Sequence, residues 1–316
     1  MRRAAARVGW LARNDTRAER EGEGTTAAAR MASPSRTLLL ACALALGACG
    51  GSSSPTTCAR VEPGARTLTV ESGGRTRTFR LVVPESTVDA EPVPLVVLFH
   101  GSKGDGAGQI GLSGFDAKAE AEGFVLVAPD GIDRSWNSGS CRNPDGRACV
   151  EDVDDVGFAR DLVAAVEAEA CIDPSRVYAT GFSKGAAMVF RLVCEASDLF
   201  AAFAPVAGGL AFSPCTPERP RPVLLVNAID DATVPFAVGE ASVNAFLGHN
   251  GCNEARESSS PAPGSTCVAA TDCADDATTA LCRIPGGHRW PGGATDPNGA
   301  FRATDVVWSF FAEQGA

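Results

Sequence analysis

The feature that most constrains this chain is the Gly-x-Ser-x-Gly turn at residues 181–185. A run of strand-forming residues precedes it at 176–180, and a helix-compatible run follows at 186–194. In this setting the serine is held in a strained conformation, and the small residues around it let strand and helix approach closely. The Ser183 hydroxyl is then exposed beside backbone N–H groups that favour developing negative charge. The turn predicts Ser183 as a nucleophile; a turn of small residues without a catalytic role is the alternative.

Strands and helices alternate around this turn. The strands expected to be buried on both faces are continuous apolar runs, at residues 94–99, 124–128, 201–206 and 222–226. Residues 66–71 and 75–83 alternate polar and apolar side chains around Ser-Gly-Gly, which predicts an antiparallel hairpin at a sheet edge. Residues 250–278 are rich in polar and small residues and are predicted to form a loop. The pattern predicts an α/β fold with a mostly parallel central sheet and helices on both faces.

A nucleophilic serine needs a base, and the chain contains three histidines. In hydrolases with this turn on a parallel sheet, the chain order is serine, then acid, then histidine. His100 precedes the serine, and His249 lies at the end of a predicted helix. His288 follows the last predicted strand, in a glycine-rich loop of the kind that carries function at strand carboxyl ends. These positions predict His288 as the base.

The acid that orients the base is expected in a strand-end loop between Ser183 and His288. Two adjacent candidates, Asp230 and Asp231, follow the apolar run at 222–226. The acid would hold the imidazole tautomer and stabilise the imidazolium. Spacing alone leaves both aspartates open, and one of them is expected to be a solvated turn residue.

Two further sets of residues are predicted around the nucleophile. The backbone N–H of Lys184 and one from the loop after the 94–99 strand, at Ser102, are expected to form the oxyanion hole. Trp136 and Trp290 are candidates for lining the substrate groove, with a packing role as the alternative.

The N-terminal part of the chain predicts export. A basic start, an apolar run at residues 37–46 and a small-residue end predict a signal peptide at 31–48, too short to remain as a membrane span. Leu-Gly-Ala-Cys at 46–49 is similar to a bacterial lipoprotein cleavage box, which predicts lipid attachment at Cys49. Ordinary secretion is the alternative. Residues 1–30 are then an upstream extension, with Met31 as a possible true start; 49–57 form a flexible tether, and 58–316 form the single folded domain.

Charge and cysteine content bear on partners and compartment. The net charge is −10 and no basic stripe is present, which argues against a nucleic-acid partner. Twelve cysteines are many for a reducing compartment and predict an oxidising one. No Cys-x₂-Cys pair occurs and the histidines have other predicted roles, so neither a metal nor a cofactor is predicted. Membrane contact is expected only through the lipid anchor.

Several motifs in combination resemble one family, the extracellular polyhydroxybutyrate depolymerase and feruloyl esterase group. They are His-Gly-Ser at 100–102, Asp-Asp-Val-Gly-Phe at 154–158, Cys-Ile-Asp-Pro-Ser-Arg-Val-Tyr at 171–178, Gly-Phe-Ser-Lys-Gly-Ala-Ala-Met at 181–188, Leu-Val-Cys-Glu at 192–195, Phe-Ala-Ala-Phe-Ala-Pro-Val-Ala at 200–207 and Gly-Gly-His-Arg-Trp-Pro-Gly at 286–292. The resemblance spans residues 58–314. It implies the α/β-hydrolase fold and a serine esterase whose substrate is a hydroxyalkanoate polyester or its oligomers, or a feruloyl or acetyl ester of plant polysaccharide. The other possibilities are a catalytically inactive binding protein and a peptidase of the same fold.

The resemblance also bears on single residues. In this family the acid lies three positions before Val-Pro, which implies Asp231. The chain departs from the family at residues 227–230, Asn-Ala-Ile-Asp in place of a frequent His-Gly-Thr-Ala, and at Phe236, where tyrosine is frequent. Local spacing favours a Cys141–Cys149 disulfide, although sequence cannot establish pairings. The resemblance implies Cys194–Cys215 and, by analogy, Cys252–Cys273, which would leave Cys267–Cys282 and Cys58–Cys171.

Overall fold

The structure is a computed structural model that describes residues 9–11, 62–88, 91–141 and 146–314. The predicted signal peptide, the lipidation site Cys49 and the tether lie outside the described residues, as does most of the predicted upstream extension. In the part of the chain that the structure describes, no helix is long and apolar enough to cross a membrane.

A ten-stranded sheet forms the centre of the molecule, in the order β1-β2-β4-β3-β5-β6-β7-β10-β9-β8. The inner strands β4, β3, β5, β6, β7 and β10 run parallel, and antiparallel pairs extend both edges. The strands are β1 (Gly64–Ser72), β2 (Arg75–Val83), β3 (Val93–Phe99), β4 (Val125–Pro129), β5 (Ile172–Phe182), β6 (Ala202–Val206), β7 (Val223–Ala228), β8 (Arg256–Ser259), β9 (Thr266–Ala270) and β10 (Thr279–Ile284).

Helices connect these strands. They are α1 (Gly106–Ser113), α2 (Phe115–Glu122), α3 (Arg147–Val150), α4 (Asp155–Glu169), α5 (Lys184–Glu195), α6 (Phe236–His249) and α7 (Ala303–Ala312). The side chain of Asp154 caps α4 by accepting a hydrogen bond from the N–H of Gly157 at 2.7 Å. Gly123 ends α2 in the left-handed conformation that glycine adopts at little cost.

The predicted hairpin is confirmed, because β1 and β2 pair antiparallel along their whole length at one edge of the sheet. The prediction of a loop at residues 250–278 is wrong, since β8 and β9 lie there and extend the other edge beyond β10. Cys267 of β9 faces Cys282 of β10 and is joined to it by a disulfide, so distant pairing stabilises a segment with weak local strand preference.

The core lies on both faces of the sheet. Successive residues of β3 point to opposite faces, so that Val97 joins one buried cluster and Leu98 the other. In the second cluster the ring of Tyr178 stacks on that of Phe311 at a centroid distance of 4.7 Å. Burial raises the pKa of Tyr178 to about 12. Trp10 also packs here, with its ring edge-on to Phe310.

A buried ion pair joins the sheet to α4. A guanidinium nitrogen of Arg77 lies 2.7 Å from Oδ1 of Asp155, and both side chains are almost completely inaccessible. The backbone N–H of Asn137 donates to the other carboxylate oxygen, and the guanidinium lies 3.7 Å from the centre of the Phe158 ring. Loss of either side chain would leave the other as an unpaired buried charge. The ion pair therefore holds β2, the loop at residues 130–137 and α4 together.

Four disulfides join described cysteines: Cys141–Cys149, Cys194–Cys215, Cys252–Cys273 and Cys267–Cys282. The first was expected from spacing, the second from the resemblance and the third by analogy with it, and Cys267–Cys282 is one of the two pairs that these would leave. Cys171 is also disulfide-bonded. Its expected partner, Cys58, lies outside the described residues. Bridges of this number are consistent with an oxidising compartment.

Candidate active site

Ser183 occupies a sharp turn between β5 and α5. Its backbone angles are φ 53° and ψ −112°, a conformation that non-glycine residues rarely adopt. The two flanking glycines are needed for close approach. A Cβ on Gly181 would lie 2.8 Å from the backbone of Gly185, and one on Gly185 would lie 2.3 Å from the carbonyl oxygen of Phe99. The turn therefore exposes the serine hydroxyl at the carboxyl end of the sheet.

His288 and Asp231 reach this hydroxyl from two neighbouring strands. β7 and β10 pair in parallel and end opposite each other, with Ala228 beside Ile284, so the loops that follow them emerge together. Nε2 of His288 lies 2.9 Å from Oγ of Ser183, and Nδ1 lies 2.7 Å from Oδ2 of Asp231. The structure thus brings the three predicted residues into one hydrogen-bonded series.

The two adjacent aspartates have different environments. The Asp231 side chain is buried, and its Oδ1 accepts hydrogen bonds of 2.8 Å from the N–H groups of Thr233 and Val234. These bonds leave Oδ2 directed at His288. Asp230 is exposed and its Oδ1 accepts from the backbone N–H groups of Gly286 and Gly287, so the geometry makes Asp231 the partner of His288.

His100 organises the loop that follows β3. It is buried, its Nε2 accepts a hydrogen bond from the N–H of Gly131, and its Nδ1 lies 2.7 Å from the carbonyl oxygen of Gly101. Because Nε2 is an acceptor, the ring is neutral and Nδ1 carries the proton that is donated to Gly101. Burial lowers the pKa of His100 below its ordinary value of 6.5.

The stability of the protein should therefore fall as pH decreases below about 6.5. Below that pH His100 binds a proton in the unfolded chain but stays neutral in the folded protein. The stability that neutral His100 contributes is therefore fully present above pH 6.5, and it is lost as the pH falls towards the lower pKa of the folded state. Urea unfolding at pH 7 and pH 5.5 should show a smaller pH dependence in His100→Gln than in the wild type. The matched control is His249→Gln, which replaces an exposed histidine at the end of α6. Equal pH dependence in all three proteins would contradict this role of His100.

The predicted oxyanion donors lie on either side of the serine turn. Lys184 is the first residue of α5, directly after Ser183. Ser102 is exposed and follows Gly101, where an added Cβ would lie 3.4 Å from the carbonyl oxygen of Phe182. The β3 loop and the serine turn are therefore neighbours, as an oxyanion hole built from both requires.

The prediction that Trp136 and Trp290 line a substrate groove does not agree with the structure, because both side chains have 0% exposure. The indole N–H of Trp136 donates to the carbonyl oxygen of His100, and its ring packs edge-on against Phe99. The indole N–H of Trp290 donates to Oγ1 of Thr304 beneath the His288 loop. Both tryptophans are apolar side chains with one satisfied donor, and they support the two loops from the core.

Sequence reasoning missed two contributors to the site. Phe182 places its ring 5.0 Å from that of His288, and only its position before the serine could have indicated this. The sequence predicts that the aspartate not paired with His288 is a solvated turn residue, yet the Asp230 carboxylate accepts hydrogen bonds from the N–H groups of Gly286 and Gly287. A glycine pair before the histidine is the one signal in the sequence for such a contact.

A hydroxyl, an imidazole and a carboxylate in series can carry out nucleophilic attack on a carbonyl group, with proton transfer through the imidazole. Their placement after β5, β7 and β10 of a mostly parallel sheet defines the α/β-hydrolase class.

Comparisons with known proteins show which family within the α/β-hydrolase class this chain resembles. A family model described as "Esterase PHB depolymerase" matches residues 78–216. The chain is 34% identical over 252 residues to a putative esterase, NocK, of Nocardia uniformis subsp. tsuyamanensis, covering 70% of this chain and 72% of the relative. It is 31% identical over 229 residues to feruloyl esterase B of Piromyces equi, covering 65% of this chain but only 41% of the relative. It is 30% identical over 199 residues to feruloyl esterase C of Emericella nidulans, covering 63% and 67%.

Solved structures show the same fold. An acetyl xylan esterase from Aspergillus awamori superimposes with a TM-score of 0.58 at 17% identity, over 78% of this chain and 99% of that one. A cold-adapted esterase from an Arctic intertidal metagenomic library gives a TM-score of 0.50 at 18% identity, over 78% and 92%. The chain belongs to the polyhydroxybutyrate depolymerase and feruloyl esterase-like family, and it is a carboxylic ester hydrolase.

Proposed function

We propose that the protein hydrolyses carboxylic esters through an acyl-enzyme on Ser183, with His288 as general base and acid and Asp231 as its orienting acid. The single observation that carries the proposal is the hydrogen-bonded series from Asp231 through His288 to Oγ of Ser183. Buried Asp231 fixes the proton on Nδ1, which leaves Nε2 free to take the proton of the serine hydroxyl.

The reaction proceeds in two halves. Oγ of Ser183 attacks the ester carbonyl while Nε2 of His288 accepts the hydroxyl proton, and His288 then returns that proton to the departing alkoxide as the carbon–oxygen bond breaks. Water, deprotonated by His288, next attacks the acyl-enzyme and releases the acid and the serine. The N–H groups of Lys184 and Ser102 would hold the oxyanion, an interaction whose loss typically costs about 10²–10³ in rate.

The substrate is proposed to be a hydroxyalkanoate polyester or its oligomers. The family model named for PHB depolymerase supports this substrate class. The surface offers a second argument. Among the described residues, the large apolar side chains with high exposure are Val150, Ile229 and Val238, all of them aliphatic. Ile229 follows β7 and precedes the two aspartates, so it lies in the same loop as the proposed orienting acid. Its exposed aliphatic side chain suits an alkanoate chain.

The alternative substrates are feruloyl or acetyl esters of plant polysaccharides. The feruloyl esterases of Piromyces equi and Emericella nidulans support this alternative. An aromatic acyl group would be expected to use exposed aromatic side chains, but Trp136 and Trp290, the two indoles predicted to line the groove, are buried. Phe182 places a partly exposed aromatic ring beside His288, but the two predicted indoles are inaccessible, so the alternative is the second choice.

A panel of 3-hydroxybutyrate oligomers, methyl ferulate and acetylated xylan tests the choice. We expect the highest kcat/KM on the hydroxybutyrate oligomers, measured by release of the free acid. Each substrate is also incubated with Ser183→Ala to subtract hydrolysis that does not depend on the proposed nucleophile. A higher kcat/KM on methyl ferulate or on acetylated xylan would overturn the proposed substrate class without affecting the esterase assignment.

Export and lipid anchoring are proposed together. The signal-like run at residues 31–48 and Cys49 support a lipoprotein at the cell envelope, and the disulfides support an oxidising compartment. Mass spectrometry of the mature N-terminus should detect an acylated Cys49. An unmodified Cys49, or cleavage at another residue, would reject the anchor.

A further inference from the structure

The loop that carries His288 is held by a contact outside the Ser183–His288–Asp231 series. Oδ1 of Asp230 accepts two hydrogen bonds of 2.9 Å, one from the N–H of Gly286 and one from the N–H of Gly287. These glycines have φ values of +125° and +68°, so they form a corner that other residues rarely adopt. Successive N–H groups in such a corner point to one side and form an anion-binding concavity.

One backbone hydrogen bond, from the N–H of Arg289 to the carbonyl oxygen of Gly287, also holds this corner, but side-chain packing restrains it little. Asp230 is exposed and both glycines are partly exposed, and a Cβ on Gly287 would meet nothing within 4 Å. The corner therefore gains little from packing. On its far side the loop is held separately, because Asp296 accepts from the N–H of Gly292 and pairs with Arg289. Hydrogen bonds to an ionised carboxylate are about twice as strong as those between neutral groups, so Asp230 is a principal restraint on the corner.

Asp230 also joins the loop that carries Asp231 to the loop that carries His288. It precedes Asp231 in the chain, and it binds the two residues that precede His288. The loops that carry the acid and the histidine are thus linked twice, once through the imidazole and once through the backbone. The hydrogen bonds from Gly287 and Gly286 hold the pKa of the Asp230 carboxyl below its ordinary value, so the carboxylate is charged at neutral pH.

We propose that Asp230 is a positioning residue, whose carboxylate fixes the Gly286–Gly287 corner and thereby sets the distance between His288 and Ser183. This inference rests on the proposed role of His288 as the base. A displacement of about 1 Å in a catalytic group can cost about 10²-fold in rate, so the contact matters for the chemical step rather than for substrate binding.

The experiment compares Asp230→Ala with Asp230→Asn in the full-length protein, with p-nitrophenyl acetate as substrate. Alanine removes the acceptor, and we expect kcat to fall by about 10–100-fold while KM changes little. Asparagine keeps a carbonyl oxygen in the same place and removes only the charge, so the two hydrogen bonds persist at the strength of neutral groups and part of the lost kcat should be recovered. Asp161→Ala, at an exposed position on α4, is the control for loss of a surface carboxylate and should match the wild type.

A second measurement is independent of activity. Hydrogen–deuterium exchange of the peptide that covers residues 285–290 should be faster in Asp230→Ala than in the wild type, because the Gly286 and Gly287 amides lose their acceptor. The melting temperature should change by only about 2–4 °C, since the side chain is exposed. If the alanine variant does not fold, Asp230→Ser carries the same test, because its hydroxyl is too short to reach both amides.

The outcomes separate this inference from the proposed function. A wild-type kcat in Asp230→Ala, unchanged exchange at residues 285–290, or an asparagine variant as impaired as the alanine variant would each overturn the positioning role. An inactive wild-type protein would instead contradict the proposed function, and the exchange measurement would still decide whether Asp230 holds the corner.

Discussion

Replacement of Ser183 by alanine is expected to lower kcat on p-nitrophenyl acetate by about 10⁶-fold, the size of effect known for nucleophile removal in serine hydrolases. In the proposed mechanism Oγ of Ser183 attacks the carbonyl carbon and gives its proton to the imidazole nitrogen 2.9 Å away, so alanine removes the attacking atom. The backbone N–H groups around the turn would remain, so a small residual rate over water is expected. Steady-state hydrolysis and covalent labelling with a fluorophosphonate probe measure the loss.

The matched control is Ser258→Ala, which removes an exposed hydroxyl on the edge strand β8. It should label and hydrolyse like the wild type. Ester hydrolysis by Ser183→Ala at the wild-type rate would show that the nucleophile lies elsewhere and would remove the basis of the proposed mechanism.

Asp231→Asn is expected to lower kcat by about 10⁴-fold, because an amide in this position favours the wrong histidine tautomer. The amide oxygen would accept from Thr233 and Val234, as Oδ1 of Asp231 does, and the NH₂ group would then face Nδ1 of His288. The ring would carry its proton on Nε2, directed at Ser183, and could not accept the hydroxyl proton. The measurement is kcat across the neutral pH range.

The neighbouring residue provides the comparison, since Asp230→Asn makes the same chemical change one position away and is expected to be mild. Equal losses at the two positions would mean that charge near the site matters more than tautomer control. Full activity in Asp231→Asn would exclude Asp231 as the orienting acid.

Much of the fold follows from local pattern, and the exceptions have identifiable causes. The strand β3 is a continuous apolar run buried on both faces, and the β1–β2 hairpin shows clean alternation. The helix α1 was not predicted, because Gly-Ala-Gly-Gln-Ile-Gly has low helix propensity. It forms because Asp105 caps it, and because Gly106 packs where a Cβ would lie 2.2 Å from the carbonyl oxygen of Ala128. The cap is a local contact, from the N–H of Gly108 to Asp105, whereas the close approach of Gly106 to Ala128 is a tertiary contact that no local pattern shows.

Some residues of the candidate site could be predicted from the sequence and others could not. The serine was predicted from its turn, and the histidine from chain order and the small number of candidates. The choice between Asp230 and Asp231 needed the family resemblance, because two adjacent residues on a turn point in directions that only the folded loop determines. Burial of Trp136 and Trp290 could not be predicted either, since each lies in the loop after a strand, where an exposed indole is equally compatible with the sequence.

The backbone of Ser183 has a further consequence for how this enzyme can be improved. A residue held at φ 53° and ψ −112° is strained by about 1–3 kcal/mol, which alanine would retain and glycine would relieve. At this position, therefore, stability favours glycine, whereas the proposed activity requires serine. A selection for thermal tolerance alone would discard the proposed nucleophile, so any directed evolution of this protein has to screen turnover together with folding.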